Sequence, residues 1–398
     1  MKIRPIQISI IIIATVLLVL GFFVFKYYPV WRAKIREHAQ IDRWRNAARR
    51  GDAEAQVMLG EAYYLGRGVP QNYFKAAKWN HSAAVQGWPR AEAYLASHYM
   101  KGRGVPKDFR KALYWAKKAA KQGDADGETD MGVLYLDGLG IPRNYEKARV
   151  FFTQAAKQGE VNAEDNLGML YAHGWGVPRD FRKAFSLFRT AADQGFARAE
   201  FNLGVLYDHG TGVPQSFAAA AKWYRKAARQ GYHSAESNLA ILYLTGKGVS
   251  RDYGRAAEWA HKAAMKGDDV GDNTLGVLYF HGWGVTQDTE KAFQLFRNAA
   301  GYGYAAAQSN LGVCYWHGLG TVQNFGAAAE WFRKSAQQGY ASGEAGLARA
   351  YMLGRGVPKN IAKAKAWFAK AAAAGDPYGK RMLEELEKPM PTTRDTKG

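Results

Sequence analysis

The chain has 398 residues, of which 47% are hydrophobic, with a formal net charge of +20 and a single cysteine. The apolar content is ample for a continuous core, and one cysteine excludes an intramolecular disulfide. The positive balance favours acidic partners, namely an anionic membrane surface, nucleic acid or an acidic protein face. A soluble, lysine-rich helical surface would give the same balance.

The first predicted element is an apolar segment, residues 5–26, which follows a short basic tail over residues 1–4. No charge occurs from Pro5 to Phe25, and a helix of this length crosses a hydrocarbon core of about 30 Å. No small-x-small cleavage site follows. We therefore predict a single-pass membrane anchor. Lys2 and Arg4 favour a periplasmic location for the rest of the chain, whereas the Lys and Arg counts favour the cytoplasmic face.

Residues 27–51 are predicted to be a linker and an N-capping helix. Ala47, Ala48 and Gly51 keep the register of the repeats that follow, and Trp44 fills an aromatic position of that register. At the other end, residues 376–387 are predicted to form a C-capping helix with a polar outer side, because Glu384 and Glu387 replace the repeat's small residue and tyrosine. Residues 388–398 are predicted to be a disordered tail.

Nine copies of one pattern fill residues 52–375 at a constant spacing of 36 residues. The predicted repeats are 52–87, 88–123, 124–159, 160–195, 196–231, 232–267, 268–303, 304–339 and 340–375. Each has a Gly-Val-type turn in the middle and a glycine at the end, which leaves room for two helices of about 12–15 residues. In the fourth repeat we predict a first helix from Asn162 to Ala172 and a second from Phe181 to Asp193.

Resemblance to a known family is carried by the first repeat and its eight successors. The matching residues are Ala53-Glu54-Ala55-Gln56, Leu59-Gly60, Tyr63, Gly66-Arg67-Gly68-Val69-Pro70, Lys75-Ala76, Trp79 and Ala83-Ala84. This string closely resembles the Sel1-like repeat, an α-solenoid relative of the tetratricopeptide repeat. The resemblance implies an all-α, right-handed superhelical solenoid that assembles protein complexes, often membrane-associated or exported in bacteria. Some cysteine-rich members are linked to penicillin binding, but this chain lacks their paired cysteines.

The search for catalytic chemistry returns no set of convergent residues. The sequence has no phosphate-binding loop, dinucleotide fingerprint or hydrolase motif. Asp124, Asp126, Glu128 and Asp130 resemble a calcium loop, but they stand at a helix start, where acids are favoured by the helix dipole. We predict no enzymatic activity, no metal site and no small-molecule cofactor.

The first helices of tetratricopeptide-like stacks line a concave groove, and residues opposite their Leu-Tyr stripe should point into it. Asparagines can bond the backbone of an extended peptide, and solvent-facing apolar residues in a row mark an interaction surface. Packing between repeats is the alternative explanation for the apolar members. The candidate groove residues are Leu136, Asn166, Met169, Asn202, Val205, Asp208, Asn238, Ile241, Leu244, Val277, Phe280, Asn310, Val313 and Trp316.

The sequence therefore predicts a membrane-anchored scaffold that binds partner proteins or peptides in the groove. One alternative is a cell-envelope enzyme or accessory factor that binds glycan or peptidoglycan. Another is a nucleic-acid binder, which is disfavoured because basic residues such as Lys117, Lys118 and Lys121 lie mostly on the second helices.

Overall fold

The computed structural model describes residues 36–388, and within them every regular element is a helix. The chain divides into two compact units, one up to Leu187 and one from Phe188 onward. The division falls inside one helix. Each unit is built in the same way, from helix pairs that pack against the next pair along the chain. The all-helical solenoid predicted from the repeats is confirmed.

Helix α1 is helical over residues 36–49. We call the first helix of each repeat its A helix and the second its B helix. The A helices are α2 (Ala53–Leu65), α4 (Pro89–Lys101), α6 (Ala125–Asp137), α8 (Val161–His173), α10 (Ala197–His209), α12 (His233–Thr245), α14 (Asp269–His281), α16 (Ala305–His317) and α18 (Ala341–Leu353). The B helices are α3 (Tyr73–Ala84), α5 (Phe109–Lys121), α7 (Tyr145–Lys157), α9 (Phe181–Asp193), α11 (Phe217–Arg229), α13 (Tyr253–Ala264), α15 (Thr289–Gly301), α17 (Phe325–Gln337) and α19 (Ile361–Ala373). Helix α20 (Pro377–Glu387) closes the described chain.

The helix ends follow from capping residues that recur with the repeat. Asp52 accepts a hydrogen bond from the backbone N–H of Ala55 at the start of α2, and Asn72 accepts one from Lys75 at the start of α3. Helix α2 ends at Gly66, whose φ of 72° places it in the left-handed region. Because these signals are local, the sequence alone placed α8 and α9 to within a residue or two.

In repeats two to four and six to nine, the second turn glycine, at repeat position 17, lies against the start of the preceding B helix, whereas in repeat one Gly68 lies against Glu37 and Ile41 of α1. A Cβ on Gly104 would come within 2.0 Å of the Tyr73 carbonyl oxygen, and one on Gly356 within 1.9 Å of the Phe325 carbonyl oxygen. Contacts this short are impossible for any residue with a side chain. The two backbones therefore touch directly, and this contact fixes how closely one repeat stacks on the last.

Within a repeat, a small residue at repeat position 9 of the A helix faces the residue at repeat position 29 of the B helix. A Cβ on Gly132 would lie 2.4 Å from the Phe152 ring. In repeats two, six and nine the glycine is alanine, and the facing residues are Ala116, Ala260 and Phe368. Three A helices also pack directly against the next A helix, α4 against α6, α12 against α14 and α16 against α18. The small residue at position 9 thus lets the two helices of a repeat approach closely, whichever residue stands opposite.

In six repeats a buried polar residue at repeat position 5 is held by a donor at repeat position 35 of the same repeat. Gln122 donates to Glu92 at 2.8 Å and Gln158 donates to Glu128 at 2.9 Å. Glu92 exposes none of its surface. A buried carboxylate without a donor would cost several kcal/mol, on the order of 1–3, so this pairing, which we call the clasp, stabilises the turn between repeats.

The structure describes part of each predicted end of the solenoid. Trp44 packs with Ala48 against the first repeat, in keeping with an N-capping helix, and Leu383 of α20 packs against the core of the ninth repeat. Residues 1–4, most of the predicted linker and the tail from residue 389 lie outside the described residues. The right-handed superhelical sense and the repeat boundaries stay predictions.

The predicted localisation needs correction. No helix formed by residues 36–388 is both long enough and apolar enough to cross a membrane. The prediction of a single-pass membrane protein with a periplasmic solenoid is therefore wrong for the described chain. The apolar segment 5–26, on which that prediction was based, lies outside the described residues.

The backbone contact at the second turn glycine can be tested with a matched pair of substitutions. Gly356 and Gly339 both have a φ of 75°, but a Cβ on Gly339 would meet no atom within 4 Å. Gly339→Ala should cost about 1–2 kcal/mol, the penalty of the left-handed conformation. Gly356→Ala should cost about 1–3 kcal/mol more, because the backbones must separate. Urea unfolding followed by circular dichroism measures both, and equal losses would contradict the contact.

Candidate partner-binding surface

We define the A-helix face by the side chains at repeat positions 7, 10 and 13 of the A helices. Helical spacing places these three positions on one side, and all fourteen predicted groove residues occupy them. Most of these side chains are half-buried between neighbouring helices, neither fully exposed nor sealed in the core. The face is therefore accessible in part, and it differs between the two units.

In the first unit, the structure places three predicted groove residues. Leu136 is partly buried against the cluster that contains Phe152 and Leu170. Asn166 exposes only 8% of its surface, and Met169 is half-buried. Of these three, Asn166 offers little to an external partner.

The first unit also carries charged residues on this side that the sequence reasoning missed. Arg90 donates to the Tyr94 hydroxyl at 2.9 Å and lies 3.4 Å from a carboxylate oxygen of Glu61. Tyr94 and Glu61 occupy repeat positions 7 and 10, so the register alone would have found them. The guanidinium is thereby held across two repeats in a fixed orientation.

Two aspartates on α6, Asp126 and Asp130, are shifted toward their neutral form by their surroundings. Burial, together with Glu160 and Asp124, raises the pKa of Asp126 to about 6. Burial raises the pKa of Asp130 well above its usual range, with Lys101 opposing the shift and Asp126 adding to it. Burial and neighbouring carboxylates both favour the neutral, protonated form of a carboxyl group, and here they outweigh the effect of Lys101. Asp124, by contrast, is a helix cap that accepts from Gly127 N at 2.8 Å.

In the second unit, the polar members of the face are amides tied to the protein. The Asn310 side chain donates from Nδ2 to the side-chain oxygen Oδ1 of Asn273 at 2.9 Å, across two successive repeats. The Tyr224 hydroxyl donates to Asp208 at 3.1 Å, and the Asn238 side chain also bonds this hydroxyl. Asn202, on α10, is half-buried. These bonds fix the amide orientations, so the surface is ordered without a partner.

The apolar members of the second unit form a half-buried row. Val205 and Leu244 pack against the core around Tyr224, whereas Val277 and Phe280 pack against the core around Phe296. Val313 packs in the same way against the core of repeats eight and nine, and Ile241 is also half-buried. Val205, Leu244, Val277, Phe280 and Val313 therefore contribute to the cores, and all six side chains keep part of their surface accessible.

Trp316 differs from the other predicted residues because it is a core residue. It exposes 2% of its surface and packs edge-on against Phe325, with ring centroids 5.0 Å apart. The Arg349 guanidinium covers the ring at 5.0 Å. The structure therefore buries this indole inside the second unit, and the alternative weighed above, packing between repeats, accounts for it.

Charge is separated between the two sets of helices. Every B helix carries more Lys and Arg than Asp and Glu, whereas among the A helices only α4 does. Many of the B-helix cations are held over aromatic rings: in seven repeats a Lys or Arg lies 4.2–5.6 Å from the ring of the A-helix tyrosine. The A-helix face is thus neutral to acidic, and the basic surface belongs to the B helices.

The Sel1 repeat family matches the chain nine times, over 53–87, 89–124, 125–160, 161–196, 197–232, 233–268, 274–301, 305–340 and 341–376. The protein belongs to the Sel1 repeat family. The resemblance seen in the sequence is thereby confirmed, and such solenoids are commonly scaffolds for protein interactions and typically not enzymes.

Two solved structures resemble this Sel1 repeat protein along most of its length. A protective antigen present in uropathogenic Escherichia coli strains is 32% identical, covers 88% of this chain and 83% of its own, and has a TM-score of 0.51. A Sel1 repeat protein from Oxalobacter formigenes is 29% identical, with 78% and 90% coverage and a TM-score of 0.52. No curated protein sequence matches the chain. Among residues 36–388 no group of three or more metal-binding side chains occurs.

Trp316, a core residue, and Ile241, a half-buried one, should differ in how much they stabilise the protein. Trp316→Ala should lower the free energy of unfolding by about 3–5 kcal/mol, because it empties a fully packed site. Ile241→Ala should lower it by only about 1 kcal/mol, since the side chain is half-buried. Urea unfolding of the two variants measures the difference. Similar small losses for both would mean that Trp316 is not a core residue.

Asp126→Asn should stabilise the protein above pH 6. The pKa of Asp126 is raised from 3.8 in the unfolded chain to about 6 in the folded one, so raising the pH between these values favours unfolding. The asparagine removes this loss, which amounts to up to about 3 kcal/mol for two pKa units and to less with partial exposure. The gain should disappear below about pH 4.

Urea unfolding at pH 4 and pH 7 tests this prediction. Asp137→Asn, on the exposed side of the same helix, is the control and should show no such pH dependence. A gain at pH 4 as large as at pH 7 would contradict the electrostatic explanation.

Proposed function

We propose that this Sel1 repeat protein is a binding scaffold that holds an extended segment of a partner protein along the A-helix face of its second unit. The observation that carries the proposal is the paired arrangement of that face. Half-buried apolar side chains at repeat position 10 run beside amides at repeat position 7 that the protein itself holds in place. Apolar edges supply contact area, and oriented amides suit a peptide backbone.

The small number of charged side chains on the A-helix face indicates which partner segments could bind there. At repeat positions 7, 10 and 13 of the second unit, the charged side chains are Asp208 and Arg349. Arg349 is engaged by Trp316 and Asp208 by Tyr224. A partner segment should therefore be largely neutral, with alternating apolar side chains. A nucleic acid needs cations along its path, and the cations of this protein lie on the B helices.

The experiment is a selection from a displayed library of random peptides of about 16 residues against the full-length protein. We expect enrichment of neutral sequences with spaced apolar residues, and binding that falls at least about tenfold in Ile241→Glu. Arg229→Ala is the control, because it changes the net charge equally on the exposed outer side of α11. It should bind as the unaltered protein does.

Two results would count against the proposal. Peptides that bind both variants equally would place binding elsewhere on the molecule. Enrichment of acidic peptides that Arg229→Ala weakens would point to the basic B helices. Circular dichroism of both variants confirms that loss of binding is not loss of helix.

A further inference from the structure

The clasp of the second unit joins successive repeats through a single donor nitrogen. In repeat six, Lys266 Nζ lies 2.6 Å from Glu236 Oε1 and 2.9 Å from the carbonyl oxygen of Gly231, the last residue of repeat five. In repeat eight, Gln338 Nε2 lies 2.9 Å from Gln308 Oε1 and 2.9 Å from the Gly303 carbonyl oxygen. In repeats five, six and eight the clasp therefore has the same two acceptors, a buried side chain and the carbonyl oxygen of the preceding turn glycine.

Repeat seven keeps both acceptors but has lost the donor. The residue at repeat position 35 is Tyr302, whose ring is 74% exposed. The buried acid is Asp272, which exposes 6% of its surface and is one methylene shorter than the usual glutamate. No side chain in the described part of the chain donates a hydrogen bond to Asp272. Its carboxylate oxygens, unlike Glu236 Oε2 and Glu344 Oε2, are not completely sealed from solvent, so the unpartnered group can be reached from outside.

Neighbouring groups do not compensate Asp272. Asp268 uses one carboxylate oxygen to accept from Gly271 N at 2.8 Å and the other to contact His233 Nδ1 at 2.8 Å. Burial, with Asp268 and Asp269, raises the pKa of Asp272 to about 6. In repeat nine the donor is also replaced, by Ala374, but there Lys370 lies close enough to favour the charged form of Glu344. Repeat seven alone combines a missing donor with surrounding negative charge among the repeats of this unit.

We propose that Asp272 and the main-chain carbonyl of Gly267 form a binding site for an external ammonium group, supplied by a lysine side chain of a partner protein. The ammonium takes the place that the Lys266 nitrogen has in the preceding repeat, with the same two kinds of acceptor. Burial and Tyr340, with smaller effects of Asp269 and Asp268, raise the pKa of Tyr304. Tyr302 occupies the repeat position from which Lys266 reaches both acceptors in repeat six. Aromatic rings next to carboxylates suit a cation.

This site is separate from the proposed peptide-binding face, because it uses repeat positions 5 and 35 and the turn between repeats. The site should select a primary ammonium group on a narrow stem, because the carboxylate of Asp272 is small and deeply buried. A carboxylate that is 6% exposed can be reached by a slender alkylammonium, whose stem lies along Tyr302. A lone lysine contact of this kind gives a dissociation constant on the order of 1 mM, which a larger interface would strengthen.

The test uses the full-length protein and three small probes at constant ionic strength. N-acetyl-lysine amide presents the ammonium on a lysine stem, methylammonium presents it free, and N-acetyl-norleucine amide presents the stem alone. Carbon-13 NMR of the aspartate carboxyl groups reports binding, and the Asp272 resonance is assigned by its loss in Asp272→Asn. The lysine probe should shift this resonance in a saturable way and lower the pH midpoint of its titration, whereas the norleucine probe should not.

Two variants distinguish the site from general charge effects. Tyr302→Lys places a lysine at repeat position 35, as Lys266 is in repeat six, so that its own ammonium group occupies the site. This variant should lose the response to the lysine probe and have a higher unfolding temperature. Tyr302→Ala removes the ring without adding a donor, and it should keep the response. Equal affinity for methylammonium would support the site with a free amine as its ligand. No saturable shift with either amine, or an unchanged response in Tyr302→Lys, would overturn the proposal.

Discussion

The contact between a turn glycine and the backbone of the preceding B helix sets the geometry on which each unit depends. At Gly320, a Cβ would lie 2.1 Å from the Thr289 carbonyl oxygen, so two backbones meet with no side chain between them. The contact recurs along each unit and makes the distance between repeats a backbone property. Side chains elsewhere in the repeat are then free to vary, provided that they fit a spacing already fixed.

That fixed spacing explains why buried polar groups are tolerated so regularly. The acid or glutamine at repeat position 5 is always at the same distance from the residue at repeat position 35, so a glutamine or a lysine there reaches it without strain. A satisfied buried pair stabilises the turn and specifies its register. Where the donor changes, as at Tyr302, the carboxylate stays in place because the backbone contact, rather than the clasp, holds the repeat.

Much of the fold could be predicted from the sequence because its signals are local. Asn72, Gly66 and their counterparts cap helices through bonds within a few residues, and their period reveals the pairing of A and B helices. The face was harder to predict. Ile241 and Trp316 both lie on it, at repeat positions 10 and 13, but only Trp316 is covered by Phe325 from the following B helix and by Arg349 from the following repeat. Burial of that kind depends on neighbours that periodicity does not identify, and so does the charge environment of Asp126.

Under the proposed function, recognition depends on the differences between repeats more than on their likeness. Identical repeats would present one chemistry along the whole A-helix face, whereas here Glu61 and Arg90 form an ion pair in the first unit and Asn310 and Asn273 form an amide pair in the second. The backbone contact at the turn glycine is the same in most repeats, so the chemistry of the face varies while that contact is kept. Under the proposed function, a scaffold built in this way can alter its partners one repeat at a time, because recognition is spread over side chains of several repeats.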